Sequence, residues 1–543
     1  MQGRAHGSIL TSTPTLSDAQ RRTIYALSTP PGKGGIAVVR VSGPHAVQVY
    51  RAITRKASAS QLKKGATAGT PRPWVAEYRE IVDPVTGEKL DDGVVLFFQA
   101  PKSFTTEDTL ELQVHSGRAV LTSIFSALSK LPFCRPAEPG EFTRRAFEGG
   151  RLDLTQVEGL KDLIDAETEV QRRVAVGGAG GVQRARFEAL RSMILDCLMH
   201  VEGFIDFGED VDELGQEDMY ENARARAQEI VDTIQSHLED NRRGEILRSG
   251  IKLAIFGPPN AGKSSLFNFL AERDAAITSP IPGTTRDVLT LTLDIGGLPV
   301  VLNDTAGIRM MTEDVVERIG VERAGDVVET SDVSICVLSL EEAISLVPST
   351  PQGADKVMVT FPHDVLSHLK SDTIFVMNKT DLVRGPVQRI PETEIREAVR
   401  RRLHLAGHDT GHPADIPNVW IMSLRTGEGT KDFLDGLAAV LKERVAYSEL
   451  MSAEEAPLIT HARHRDYLVS AMRHLEDFQA FREFLSFVGE HYYLPPTHIA
   501  LSQIDIAAES LRYAARAIGS VSGVDVSTED VLGAIFSSFC VGK

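Results

Sequence analysis

Gly257-Pro258-Pro259-Asn260-Ala261-Gly262-Lys263-Ser264 follows an apolar run, Ile251-Lys252-Leu253-Ala254-Ile255-Phe256, and precedes a helix-like stretch from Ser265 to Leu270. The spacing is a glycine, four residues, then Gly-Lys-Ser, the pattern of a phosphate-binding loop. A strand entering such a loop and a helix leaving it predict an α/β domain with a doubly wound sheet. The loop's N–H groups and the helix N-terminus cradle phosphates. In that arrangement Lys263 reaches the outer phosphates and the Ser264 hydroxyl holds magnesium.

Downstream segments come in the order a guanine-nucleotide switch requires. Gly283-Thr284-Thr285-Arg286-Asp287 offers a threonine that can close on magnesium and the terminal phosphate. Val300-Val301-Leu302-Asn303-Asp304-Thr305-Ala306-Gly307 reads as a strand ending in an aspartate near the metal. The Gly307 N–H can bond the terminal phosphate, so the segment after it senses hydrolysis. A third apolar strand, Thr373 to Met377, ends in Asn378-Lys379-Thr380-Asp381. The Asp381 carboxylate can accept from the N1–H and exocyclic amine of guanine, a pair that adenine cannot supply. Val419 to Met422 leads into Ser423-Leu424-Arg425, a backbone contact for the guanine oxygen. Where Ras-type proteins carry a water-orienting glutamine, this chain has Ile308. Glu313, Asp314 and Glu317 follow; each could orient water, and each could equally be solvated switch surface.

The chain has 543 residues, enough for about three domains. No run approaches the roughly 18–20 apolar residues of a membrane helix, so no membrane insertion is expected. The net charge of −17 argues against a broad basic face for nucleic acid, though not against a local patch. The four cysteines are far apart and form no C-x-x-C, which fits a reducing compartment and no zinc site.

Residues 1–22 read as a leader, either transit-like, since Met1 to Leu16 holds no acid, or disordered. Residues 23–145 alternate short apolar runs with turns and read as a mixed α/β domain. Gly35 to Val41 and Gly93 to Phe98 are its clearest strands, and Asp91-Asp92-Gly93 is a turn signal. In residues 146–246 helical period takes over: Phe187, Leu190, Ile194, Leu198, Val201 and Ile205 form one stripe, broken by the acidic stretch Gly208 to Asp218. Two more stripes lie in residues 451–543: Leu468, Met472, Leu475, Phe478, and Leu501, Ile504, Ala508, Leu511, Ala515, Ile518. The simplest organisation is a discontinuous helical domain with the nucleotide domain, residues 247–450, inserted into it; two separate helical domains are the alternative. His461 and His464 read as surface or inter-helix polar groups.

Further motifs carry a family resemblance. They are Thr29-Pro30-Pro31-Gly32-Lys33-Gly34-Gly35; Arg135-Pro136-Ala137-Glu138-Pro139-Gly140-Glu141-Phe142-Thr143 with Arg151-Leu152-Asp153-Leu154; Val316-Glu317-Arg318-Ile319-Gly320; and the terminal Phe539-Cys540-Val541-Gly542-Lys543. From about Thr23 to Lys543 the chain resembles the tRNA-modification GTPase family MnmE, also called TrmE.

That resemblance implies an N-terminal domain that binds 5-formyl-tetrahydrofolate or a related reduced folate and forms a homodimer. It also implies a helical domain with an inserted, Ras-like G domain. With an FAD-dependent MnmG-type partner, the family installs a carboxymethylaminomethyl-type group at C5 of the wobble uridine of tRNA, and mitochondrial members add a related taurine-derived group. GTP is hydrolysed to GDP and phosphate when potassium pairs the G domains across the dimer. The water-orienting glutamate falls on Glu317, and magnesium on Ser264 and Thr285. Potassium falls on Asn260, Ser279, the Ile281 carbonyl and Thr284, within Ser279-Pro280-Ile281-Pro282-Gly283-Thr284. Ser279 stands where threonine is usual. The folate contacts fall on Arg40, Glu111, Arg151 and Lys543. Arg151 replaces a lysine of some relatives, keeping the charge. Cys540 reads as a packing residue, a nucleophilic thiol beside Lys543 being the alternative. A mitochondrial location is expected, a cytoplasmic one being the alternative. A regulatory switch in ribosome assembly is the rival function, because such GTPases share the G-domain signals.

Overall fold

A computed structural model of the chain describes residues 23–56, 69–207, 213–239, 242–273, 291–302, 328–347, 356–370, 372–384, 390–406, 418–445, 457–491, 496–524, 529–539 and 542. The chain divides into two compact units, one running to Lys161 and resuming at Ser522, the other spanning Asp162–Val521. Both mix helices with sheet or pack helices on helices, so the architecture is α/β plus α. Among the described residues no helix is long and apolar enough to cross a membrane.

The first unit is built on β1 (Thr23–Leu27), β2 (Ala37–Ser42), α1 (Ala46–Ile53), β3 (Thr54–Lys56), β4 (Glu77–Val82), β5 (Lys89–Phe98), β6 (Thr109–Val114), α2 (Arg118–Ser129), β7 (Cys134–Pro136), α3 (Glu141–Glu148) and α4 (Leu154–Asp165). Its sheet runs β3-β4-β5-β6-β2-β1-β7, antiparallel except for β1 with β7. Side chains alternate along strands. Val39, Val41, Leu110 and Leu112 therefore enter one core with Val49, Tyr50, Ile124 and Leu128. The intervening Arg40 and Glu111 take the opposite face as direct cross-strand partners.

The turn expected at Asp91-Asp92-Gly93 is instead strand, inside β5. The reversal lies earlier, where Asp83 Oδ1 accepts the N–H groups of Val85 and Thr86 at 2.9 and 3.0 Å and Gly87 adopts φ +70°. Gly93 is required by close approach: a Cβ there would lie 2.3 Å from the Gln113 carbonyl oxygen. Asp91 is an anchor, its Oδ2 accepting the His115 N–H at 2.8 Å.

One buried charge in this sheet makes stability depend on acid. Burial pushes the Glu77 carboxyl up, but the Tyr50 hydroxyl at 2.6 Å and the Arg79 and Arg72 guanidiniums, each at 2.9 Å, outweigh it and hold it at about 2. A depressed carboxyl stabilises the fold above its unfolded value near 4.5, and that contribution fades as pH falls toward 2. Glu77→Gln should therefore lower stability at neutral pH, by on the order of 2 kcal/mol. Thermal melts across pH should show the difference from the parent narrowing between about pH 4.5 and 2.

The second unit holds α5 (Glu169–Ala179), α6 (Val182–Phe207), α7 (Glu213–Leu238), α8 (Arg243–Ser249), β8 (Ile251–Phe256), α9 (Lys263–Arg273), β9 (Leu291–Ile295), β10 (Leu298–Leu302), β11 (Val333–Ser339), β12 (Ile344–Val347), β13 (Lys356–Val359), β14 (Ile374–Asn378), α10 (Glu392–Leu405), β15 (Val419–Ile421), α11 (Thr430–Arg444), α12 (Ala462–His491) and α13 (Pro496–Ser522). The main sheet runs β15-β14-β11-β8-β10-β9, parallel except for the edge pair β9–β10. Helices cover both faces, which explains why its central strands read as near-continuous apolar runs, with Lys252 the exposed exception in β8. Leu253, Ile335 and Val376 pack with Leu266, Phe433 and Leu437 from α9 and α11. Phe256, Cys336 and Phe375 pack on the other side with Ile395 and Val399 of α10. The hairpin β12–β13 forms a separate small sheet.

The three helical stripes share one core. Phe187, Ile194 and Val201 of α6 and Ala227, Ile230 and Ile234 of α7 meet Leu468, Leu475 and Phe478 of α12 and Ala508, Leu511 and Ile518 of α13. Segments that precede and follow the strands of the six-stranded sheet in the chain thus build a single apolar cluster. Within the acidic stretch Gly208 to Asp218, helix α7 already begins at Glu213. His464 is fully buried, edge-on to Phe187 with ring centroids 5.4 Å apart, and so lies between helices rather than on the surface.

Candidate nucleotide site and a second cavity

β8 ends at Phe256, and the next residues shape a cradle. Gly257 takes φ +143°, and a Cβ on it would lie 2.1 Å from the Val337 carbonyl oxygen, so no other residue lets the loop pass this close to β11. Asn260 adopts the left-handed region at φ 57°, which asparagine tolerates better than most residues. Helix α9 opens at Lys263, so the positive end of its dipole lies at the cleft that Lys263, Ser264 and Ser265 line. The Lys263 amine donates to the carbonyls of Gly257 and Pro258 at 3.0 and 2.8 Å, which holds it across the loop.

The other wall rises from the end of β14. Asn378 is buried and bonds to two loops at once: its Nδ2 donates to the Ala261 carbonyl at 2.9 Å, and its Oδ1 accepts the Leu424 N–H at 3.1 Å. Lys379 turns the chain at φ 67°, presenting Asp381 in a short 3-10 turn. The Ser423 hydroxyl donates to Asp381 Oδ1 at 2.7 Å, and Arg425 stands 3.8 Å from Oδ2. These ties orient the carboxylate over the cleft.

The resulting cavity is about 620 Å³ and is lined by Asn260, Gly262, Lys263, Ser264, Ser265, Asn378, Lys379, Asp381, Leu424 and Arg425, with Leu382 added. Sequence reasoning missed Leu382, whose only signal is its place beside Asp381. Ala261 and Ser423 are buried behind the lining residues. Ser279, Pro280, Ile281, Pro282, Gly283, Thr284, Thr285, Asp304, Thr305, Ala306, Gly307 and Glu317 lie outside the described residues. The glycine cradle and the helix N-terminus fit a phosphate chain. The Ser264 hydroxyl beside it is the hard oxygen donor that magnesium accepts.

A second cavity, about 200 Å³, lies in the first unit, lined by Trp74, Phe98, Lys102, Ser103, Phe104, Thr109, Glu111 and Arg151. Arg40 stands behind it. Its Nε donates to Glu111 Oε1 at 2.9 Å, and its guanidinium lies 5.4 and 5.8 Å from the ring centroids of Phe104 and Phe142. Arg151 Nη1 donates to the Ser103 carbonyl at 2.6 Å. The C-terminal segment is fastened to β1: Ser28 Oγ donates to the Gly542 carbonyl at 3.0 Å, and a Cβ on Gly542 would lie 2.0 Å from the Leu27 carbonyl oxygen. Lys543 and Cys540 lie outside the described residues. Among those described, burial pushes the Cys134 and Cys197 thiols up to about 12 and 11, leaving them protonated packing groups.

A glycine-shaped loop at a helix N-terminus, facing the corner of Asn378, Asp381 and Ser423 on a mostly parallel sheet, defines a nucleotide-binding protein of the P-loop class. Residues 23–151 match the family model described as the GTP-binding protein TrmE N-terminus, and residues 154–540 that of the MnmE helical domain. The chain is 39% identical to a zebrafish (Danio rerio) protein named 5-taurinomethyluridine-[tRNA] synthase subunit GTPB3, mitochondrial, covering 96% of this chain and 93% of that one. It is 40% identical to tRNA modification GTPase MnmE of Parvibaculum lavamentivorans, covering 96% and 100%. It is 35% identical to tRNA modification GTPase gtpbp3, mitochondrial, of Dictyostelium discoideum, covering 98% of each. The chain belongs to the MnmE/TrmE family of tRNA-modification GTPases.

Proposed function

We propose that this chain hydrolyses GTP to drive modification of the wobble uridine of tRNA at C5, in mitochondria, together with an FAD-dependent MnmG-type partner. The observation that carries the nucleotide choice is the corner made by Asn378, Asp381, Ser423 and Leu424, in which the Asp381 carboxylate is aimed into the cleft by Ser423. Two mitochondrial proteins among the relatives support the location, and the zebrafish name supports a taurine-derived group.

In this reading the loop N–H groups and Lys263 hold the phosphates, and Asp381 accepts from the guanine N1–H and exocyclic amine. Glu317 orients the attacking water, since Ile308 has no group to do so. Ser264 and Thr285 would hold magnesium. Asn260, Ser279, Ile281 and Thr284 would hold potassium at a contact between G domains of a homodimer, with Pro280, Pro282 and Gly283 shaping that loop. Asp304, Thr305, Ala306 and Gly307 would flank the terminal phosphate. Each ion would supply positive charge near the leaving GDP oxygen, on which negative charge builds as its bond to the γ-phosphorus breaks. Arg40, Glu111, Arg151 and Lys543 would hold a reduced folate, which supplies the one-carbon unit.

GTP turnover in KCl and in NaCl at equal ionic strength tests the reading. Turnover should be faster in KCl and should fall on the order of 10²-fold in Glu317→Ala, with GTP affinity retained. tRNA from cells lacking the protein, analysed by mass spectrometry, should lose the C5 group and regain it with the parent chain but not with Glu317→Ala. Unmodified turnover in that variant, or tRNA unchanged by loss of the protein, rejects the assignment.

A further inference from the structure

Trp74 belongs to none of the motifs, yet its backbone is strained. It adopts φ 62°, a region that a bulky side chain rarely enters. Among the described residues five non-glycine positions have positive φ; Asn260 and Lys379 line the nucleotide cleft, and Trp74 lines the smaller cavity. Strain of this kind gathers where a site needs it. The strain is held in place, because the Trp74 N–H donates to the Phe97 carbonyl at 2.8 Å and Pro73 bridges to the same residue. The indole stands edge-on to Phe98, centroids 5.0 Å apart at 85°. Even so, Trp74 is 56% exposed, so packing alone does not account for the strain.

The surrounding groups say what an exposed indole can meet. Phe98 and Phe104 add aromatic wall. Glu111 gives Oε1 to Arg40, while Oε2 accepts no bond from a described residue. Lys102 and Arg151 bring positive charge to the exposed rim. A cavity of about 200 Å³ is smaller than an ordinary drug-sized pocket of roughly 300–1,000 Å³. That volume suits one small ring system rather than a whole drug-sized molecule. Aromatic walls, one carboxylate acceptor and two rim cations suit a flat heterocycle with N–H donors and an acidic tail.

We propose that Trp74 is a ligand-binding residue of this cavity, stacking its indole on the heterocycle of a reduced pterin while Lys102 and Arg151 hold the anionic tail. The proposal rests on the reading of the cavity as a reduced-folate site. The test uses the full chain and 5-formyl-tetrahydrofolate. The chain holds two tryptophans, so Trp420→Phe leaves Trp74 as the sole indole fluorophore. Its emission should quench saturably on titration. By calorimetry Trp74→Gly, which keeps the left-handed turn without a Cβ penalty, should bind roughly tenfold or more weakly. Trp74→Phe should bind within about threefold of the parent, since a ring is retained, and both variants should keep the parent's cooperative melt. If the parent binds the folate but Trp74→Gly binds it equally well, or the emission is unmoved, the Trp74 assignment fails and the cavity reading stands. If the parent binds no folate, both fail together.

Discussion

Replacing Asp381 with asparagine should turn the chain from guanosine to xanthosine triphosphate. The carboxylate has two acceptor oxygens and no donor, matched to the N1–H and exocyclic amine of guanine. Ser423 fixes one oxygen at 2.7 Å and Arg425 flanks the other at 3.8 Å, so the group enters the cleft already aligned. An amide keeps one acceptor and adds a donor, which faces the guanine amine and repels it. Each hydrogen bond to a charged group is worth about 1.5–3 kcal/mol. Losing one such bond, with the other reduced to a neutral one, should weaken GTP by on the order of 10²–10³-fold. Xanthine carries a carbonyl where guanine carries the amine, so the amide's donor finds an acceptor and XTP affinity should rise. Calorimetry with GTP, XTP and ATP decides it. ATP should stay weak throughout, because Asp381→Asn gives adenine nothing new. GTP affinity unchanged in the variant would mean that the corner does not read the base.

Much of this corner was legible in the sequence because its strands are covered on both faces. Burial on two sides favours near-continuous apolar runs, and Ile251–Phe256, Ile374–Asn378 and Val419–Ile421 stand out for that reason. The loops between them carry residue types that few other settings need in that order. Where burial is one-sided or geometry is set at a distance, the sequence was less legible. Asp91-Asp92-Gly93 has turn composition, but Gly93 is there to let β6 approach and Asp91 to hold His115, both facts of tertiary contact. The antiparallel pair β12–β13 matches none of the motifs read from the sequence. Trp74 carried no signal, since its interest lies in a backbone angle imposed by Phe97. The roles of Thr284, Thr285, Asp304 and Glu317 rest on sequence and resemblance, as those residues lie outside the described ones.

Gly262, the glycine that lines the nucleotide cavity, should be as intolerant as the aspartate is specific. Gly262 has φ +105°, and a Cβ there would lie 2.1 Å from Asn378 Nδ2. Gly262→Ala therefore acts twice, straining the backbone and displacing the side chain that bonds to both Ala261 and Leu424. Asn378 is 3% exposed, so its partners are left unpaired in a dry place. An unsatisfied buried group costs about 1–3 kcal/mol, and a forced left-handed alanine about 1–3 kcal/mol more. Nucleotide affinity should fall on the order of 10²-fold or more, and the thermal transition of the second unit should drop. Asn378→Ala separates the two effects, because it removes the same two bonds and makes room for the new methyl. Contacting residues couple, so the double variant Gly262→Ala/Asn378→Ala should be less damaged than the sum of the singles. Strict additivity would show that Gly262 acts through the phosphates alone and that the bond from Asn378 to the loop does not join the base corner to the cradle. Sub-additivity would show that base and phosphate sites are one mechanical piece, so that a guanine seated on Asp381 also sets the loop that grips its phosphates.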